Sequence, residues 1–147
     1  MTTEIKGYIA KDGFWRINAK LYLNDECHDK PIKFIIDSGS QITLLSPNFA
    51  KKIGLGFDTL SAINEIPIGG PGKCTARPLP KVEIILKGTD YLTQCRMYVP
   101  NPKCYKKRGS SLIGQDVLRQ FNLKSDNKTR KIILIPISSL TAPVQFK

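Results

Sequence analysis

Two short segments of this 147-residue chain carry residue types in patterns that can do chemistry. The first is Phe34-Ile35-Ile36-Asp37-Ser38-Gly39-Ser40-Gln41-Ile42-Thr43-Leu44-Leu45, which sets an acidic residue on a hydroxyl-glycine turn between two apolar runs. Asp-Ser-Gly by itself is a common Asx turn. The apolar flanks sharpen the reading, because a carboxylate between buried strands is costly unless hydrogen bonds reach it; Ser38 and nearby backbone N–H groups are expected to supply them. The second segment, about 75 residues further on, is Ser111-Leu112-Ile113-Gly114-Gln115-Asp116-Val117-Leu118, an apolar strand and a glycine leading into a helix. Asp116 is read as a helix N-terminal acid that complements the helix dipole rather than as a second reacting carboxylate.

Other chemistries find little support. The single histidine, His28, would have to serve any Ser-His or Cys-His device, and no nucleophile motif surrounds a serine or cysteine. Cys27, Cys74, Cys95 and Cys104 are spaced 47, 21 and 9 residues apart, without the close pair of a structural zinc site. Cys27-His28-Asp29 holds three possible ligands, but adjacent residues point in different directions, so a surface turn is expected there. Neither a metal nor a cofactor is expected.

The elements that must position these segments read mostly as strands. Phe14–Leu23 alternates Trp15, Ile17, Ala19, Leu21 and Leu23 with polar positions, the mark of a half-buried strand, with Trp15 in core or interface packing. After a turn over Asn24–Pro31, strands are expected at Ile32–Ile36 and Ile42–Leu45. Ser46-Pro47 through Gly54 has the cap, first-turn proline, basic last turn and closing glycine of a two-turn helix. Ala62–Ile68 and Lys73–Leu79 flank Gly69-Gly70-Pro71-Gly72 as a glycine-tipped hairpin, and Lys81–Lys87 and Tyr91–Val99 follow as two strands. A Pro- and Lys-rich loop, Pro100–Gly109, precedes a strand at Ser111–Ile113, a short helix over Gly114–Phe121, a strand from Leu123 and a closing strand over Lys131–Ile137. Within it, Ile132–Ile137 is either core or an edge that pairs with a second copy, the latter slightly preferred. The expected architecture is mainly β: a closed, antiparallel, barrel-like domain with one or two short helices, a single unit over residues 1–147 with its core about 13–137.

Together the two segments resemble the retropepsin-like aspartic proteases, the group that includes retroviral proteases, the skin retroviral-like protease and the protease domain of DNA-damage-inducible ubiquitin adaptors. Asp37-Ser38-Gly39-Ser40-Gln41-Ile42-Thr43 is similar to that family's active-site loop, and Leu112-Ile113-Gly114 to its hydrophobic-glycine element. The resemblance implies an aspartic endopeptidase of the acid-protease fold in which Asp37 is the catalytic carboxylate. Ser38, Gly39 and Ser40 would support the loop, with the Ser38 hydroxyl cross-linking two such loops. Ile68, Gly69, Gly70, Pro71 and Gly72 would form a flap that grips extended polypeptide through backbone hydrogen bonds. Such chemistry needs two carboxylates sharing a proton around a water, and one chain brings one loop. The resemblance therefore implies a C2 homodimer with Asp37 of each copy at the axis, active at acid to near-neutral pH. Pro71 departs from the pattern by removing a backbone donor in the flap, and Pro100–Gly109 looks like an insertion.

Composition bounds the alternatives. With 41% hydrophobic and 24% charged residues the chain can build a core, and no apolar run approaches the ~20 residues of a membrane-spanning helix. Met1–Ala10 does not read as a signal peptide, so a cytoplasmic or virus- or retroelement-associated setting is the default. Of the net +11, most falls between Arg96 and Lys131, where ten basic residues face two acidic ones. This permits nucleic-acid binding but lacks interleaved aromatics, and a solvated basic face is the expectation. Two other readings stand beside the protease: a retropepsin-shaped dimerisation or peptide-binding module without catalysis, and a basic β-barrel that binds nucleic acid, which leaves Asp37 without a role.

Overall fold

A computed structural model describes residues 4–69, 74–89, 91–106, 109–137 and 142–143. Its strands are β1 (Ile5–Ile9), β2 (Trp15–Leu23), β3 (Glu26–Cys27), β4 (Ile32–Ile36), β5 (Thr43–Leu44), β6 (Ile66–Ile68) and β7 (Cys74–Pro78). They continue with β8 (Val82–Leu86), β9 (Tyr91–Gln94), β10 (Met97–Pro100), β11 (Ser111–Ile113), β12 (Phe121–Asp126), β13 (Lys131–Pro136) and β14 (Ala142–Pro143). The helices are α1 (Pro47–Lys52) and α2 (Gln115–Leu118).

Period-two alternation makes β2 the hub: Ile17, Ala19, Leu21 and Leu23 are buried, and the strand pairs with β1, β3, β4 and β8. Helix α1 starts where the sequence signals it, the Ser46 hydroxyl accepting from the Phe49 N–H at 3.3 Å, with Pro47 in the first turn and Lys51 and Lys52 in the last.

Hydrogen bonding runs along one path, β12-β13-β1-β2-β4-β11-β5-β10-β7-β6, with β3, β8, β9 and β14 off it. The closed antiparallel barrel expected from the sequence is corrected in two respects. The path is open, and two of its pairings, β4 with β11 and β5 with β10, are parallel. Parallel partners need long crossovers, so reading the chain as successive hairpins misses them. The Tyr91–Val99 run is two strands, β9 and β10, interrupted at Cys95-Arg96; α2 ends at Leu118, and Phe121 already opens β12. Strand β1, which the sequence reading passed over, covers β13 in register from Ile5↔Leu134 to Tyr8↔Lys131.

The central strands are buried on both faces. Phe34, Leu45 and Ile113 belong to the main core with Ile17, Leu21 and Leu134, whereas Ile35, Leu44 and Leu112 turn into a second cluster with Ile42, Ala76 and Tyr98. This explains why β4 and β11 read as nearly continuous apolar runs.

The closing strand β13 is core and no free edge: β12 hydrogen-bonds one side of it and β1 the other, and Ile132 is 0% exposed. The outer strand is β12, where Leu123 is 38% exposed. Truncating Ile132 to Ala is expected to cost about 2–5 kcal/mol in urea unfolding, whereas Leu123→Ala at the sheet edge is expected to stay within roughly 1 kcal/mol.

Candidate active site

Strand β4 ends against β11 in parallel register, Ile36 beside Ile113, and the ladder continues one step further: the Asp37 N–H donates to the Ile113 carbonyl at 2.9 Å. The chain then turns. The Gly39 N–H donates to Asp37 Oδ1 at 3.0 Å and the Ser40 N–H to the Asp37 carbonyl at 3.2 Å, which fixes the carboxylate at the strand end as an Asx turn. Of the two kinds of donor the sequence suggested, a backbone N–H reaches the carboxylate and the Ser38 hydroxyl does not. Ser38 is exposed, and the Ser40 hydroxyl donates to the Ile42 carbonyl at 2.7 Å.

The second segment holds this loop from below. A Cβ on Gly114 would lie 2.2 Å from the Ile42 oxygen and 2.7 Å from the Ser40 oxygen, so only glycine lets the loop cross the end of β11. From the next turn the Gln115 N–H donates to the Ser40 carbonyl at 2.7 Å, Gln115 Nε2 to the Ser38 carbonyl at 2.8 Å, and Arg119 to Gln41 Oε1 at 2.9 Å. Leu112, Ile113 and Gly114 thus lie against the Asp37–Ser40 loop and the strand before it. Sequence reasoning missed Gln115 and Arg119, whose i, i+4 spacing just after the glycine is the one local signal that they share a face.

Asp116 is a structural tie. Its carboxylate accepts from Thr43 Oγ1 at 2.9 Å and from the Arg96 N–H at 2.6 Å, joining α2 to β5 and to the break between β9 and β10, while Thr43 Oγ1 also receives the Gly114 N–H at 3.3 Å. Burial holds its carboxyl above the ordinary value despite the hydrogen bonds from Arg96 and Thr43, which pull the other way.

Asp37, Gly39 and Ser40 open onto a cleft of about 740 Å³. Its apolar wall is the second cluster, with Ile42, Leu44, Ile66, Ile68 and Leu112 lining it. Strands β6 and β7, which pair antiparallel from Ile66↔Ala76 to Ile68↔Cys74, border it. Gly69, at φ +67°, lines the cleft where β6 turns; Gly70, Pro71 and Gly72 lie outside the described residues. Arg77 anchors β7, pairing with Glu65 at 2.6 Å and resting over the Phe57 ring at 4.1 Å. A Cys74–Cys104 disulfide ties the start of β7 to the loop after β10. Spacing gave no hint of that pairing, and Tyr105, next to it in the cleft, was not anticipated either.

Among the described residues no group of three His, Cys, Asp or Glu side chains could hold a metal ion. Burial, and then the charges of Asp116 and Glu83, push the Cys95 thiol far up, which disfavours its thiolate. Several of the basic residues have structural work: Arg119 holds Gln41, and Arg130 donates to the Ile9 and Ala10 carbonyls.

Two variants test this framework. Gly114→Ala is expected to lose about 3 kcal/mol or more in urea unfolding, because the clash is with backbone. For Asp116, the folded chain holds the proton more tightly than the unfolded chain does. Its contribution is therefore full below the ordinary carboxylate value and is lost as pH rises through the raised one. Relative to Asp116→Asn, which keeps an acceptor for the Arg96 N–H, wild-type stability is expected to fall as pH rises through that range; parallel slopes in a urea series against pH would contradict it.

Comparison with known proteins agrees with this geometry. The aspartyl protease family model matches residues 19–84, the stretch that contains β4, the Asp37 loop and the β6–β7 pair. A retropepsin-like aspartic protease from Rickettsia conorii superposes with a TM-score of 0.60 at 21% identity, over 92% of each chain. The retroviral protease-like domain of Ddi1 from Leishmania major gives 0.51 at 18% identity, over 87% of this chain and 94% of that one. No curated protein matches the sequence. The chain has the retropepsin-like fold, with the aspartyl protease sequence pattern running through residues 19–84, which carry its acidic loop.

Proposed function

We propose that the protein is an aspartic endopeptidase that cleaves extended polypeptides as a C2 homodimer, with Asp37 of each copy at the shared axis. The observation that carries this reading is Asp37 itself. Its carboxylate accepts from the Gly39 N–H and its backbone is hydrogen-bonded at a strand end, on the rim of an apolar cleft bordered by a two-stranded arm. The retropepsin-like fold and the aspartyl protease match over residues 19–84 support it.

In this reading, one Asp37 carboxylate is ionised and takes a proton from the water between the pair, while the other, protonated, donates to the scissile carbonyl. The water oxygen bonds to the carbonyl carbon, the C–N bond breaks, and the proton leaves with the amine nitrogen. Gly39 keeps the approach open, a Cβ there reaching only 3.3 Å from Asp37 Oδ1. The Ser38 hydroxyls, exposed in the single chain, would meet across the axis. An extended substrate can add its backbone to the β6–β7 arm, and its apolar side chains suit the wall of Ile42, Leu44, Ile66 and Leu112.

Asp37→Asn is expected to lower peptide hydrolysis by about a thousandfold or more, the scale of positioned acid–base catalysis, with the fold retained by circular dichroism. Specific activity is expected to fall on dilution, in step with the dimer mass seen by sedimentation. Adding the Asp37→Asn chain at constant wild-type concentration is expected to poison activity, because mixed pairs carry one intact carboxylate. Hydrolysis that is indifferent to both dilution and the added variant would reject the shared centre.

A further inference from the structure

Among the described residues, two buried side-chain polar atoms lack a hydrogen-bond partner, Asn18 Oδ1 and Tyr105 Oη, and Tyr105 lines the cleft that holds Asp37. A buried hydroxyl with no partner is a standing penalty. The position of Tyr105 is well defined. Its ring packs on the cluster of Ile35, Leu44 and Leu112, and its N–H donates to the Asn101 carbonyl at 3.0 Å. The preceding residue, Cys104, is bonded to Cys74 with the Cα atoms 5.5 Å apart, and the Asn101 N–H donates to the Thr75 carbonyl at 2.9 Å. The loop is therefore stitched to β7, and the phenol is held between that arm and the Asp37 loop.

We propose that Tyr105 is a substrate-binding residue whose hydroxyl donates a hydrogen bond to a backbone carbonyl of a polypeptide lying in the cleft, and that the Cys74–Cys104 disulfide holds it in place to do so. A peptide carbonyl suits this donor because an extended chain presents one per residue, alternately to either side, whatever its sequence. Burial first, and then the negative charge of Asp37, hold the phenol above its ordinary value, so it stays protonated and able to donate. The proposal rests on the peptide-cleft reading above and adds to it a contact outside the acidic loop.

The test begins with a randomised decapeptide library, from which a cleaved sequence is chosen by mass spectrometry for kinetics. Tyr105→Phe keeps the ring and removes the donor. KM is expected to rise about three- to tenfold, the scale of one neutral hydrogen bond, with kcat little changed and the urea midpoint held or raised, because the unpartnered hydroxyl no longer has to be buried. Cys74→Ser/Cys104→Ser is expected to raise KM similarly in the wild-type background but not further in the Tyr105→Phe background, because both changes remove one contact. An unchanged KM in Tyr105→Phe overturns the contact, and additive effects overturn the role given to the disulfide. If the wild type cleaves nothing, the hydrolase reading falls while this proposal is still tested. Retention of library peptides by Asp37→Asn, lost in Asp37→Asn/Tyr105→Phe, upholds Tyr105 as a peptide contact. Equal retention by both, or by neither, overturns it.

Discussion

Among the described glycines, the one most tightly crossed by backbone is the one on which the candidate site depends. Gly114 lies where the Ser40–Ile42 segment passes over the end of β11, with less room than a methyl group needs. That crossing lets the Gln115 N–H reach the Ser40 carbonyl and brings Gly114 N–H to Thr43. The acidic loop is consequently held by the strand before it, by the strand it crosses and by the first turn of α2. None of these ties requires a second chain, so in the proposed homodimer association would not have to supply the energy to order the loop.

Two-sided burial of β4, β5 and β11 gives the cleft its character. Neighbouring residues on one strand serve different purposes: Phe34 and Ile113 fill the main core, while Ile35 and Leu112 face the smaller cluster beneath the cleft. A site built on strands fixed from behind is more precise than one built on loops alone. The apolar wall is thus the reverse side of the same strands that hold the fold together.

What the sequence made legible was what is local. The Asx turn at Asp37, the cap and proline of α1, the alternation of β2 and the hydrophobic-glycine element depend on residues a few positions apart, and each lies where its pattern indicated. What escaped depends on partners far along the chain. Strand β1 is only Ile5–Ile9 and contains Gly7, whose missing side chain makes sense only once the Arg16 carbonyl is seen 2.5 Å from where a Cβ would be. The break between β9 and β10 follows from capture of the Arg96 N–H by Asp116, 20 residues away. The disulfide spans 30 residues, and four cysteines allow three pairings if all are bridged. A closed barrel was the natural sum of hairpins; two parallel pairings across long crossovers replaced it.

The supply of acids decides how such a site can work. Among the described residues lining the cleft, Asp37 is the one carboxylate, and Lys106 the one cation. Asp116, the acid in the α2 turn that holds the loop, has its oxygens engaged by Thr43 and the Arg96 backbone and is held toward its neutral form by burial. Turning it toward a substrate would unfasten α2 from β5 and from the turn at Arg96. A hydrolase that divides proton transfer between two carboxylates therefore has no second candidate among the described residues of this cleft. In the proposed homodimer the second copy supplies it, and a twofold axis through the Asp37 loop is the arrangement in which one sequence supplies both.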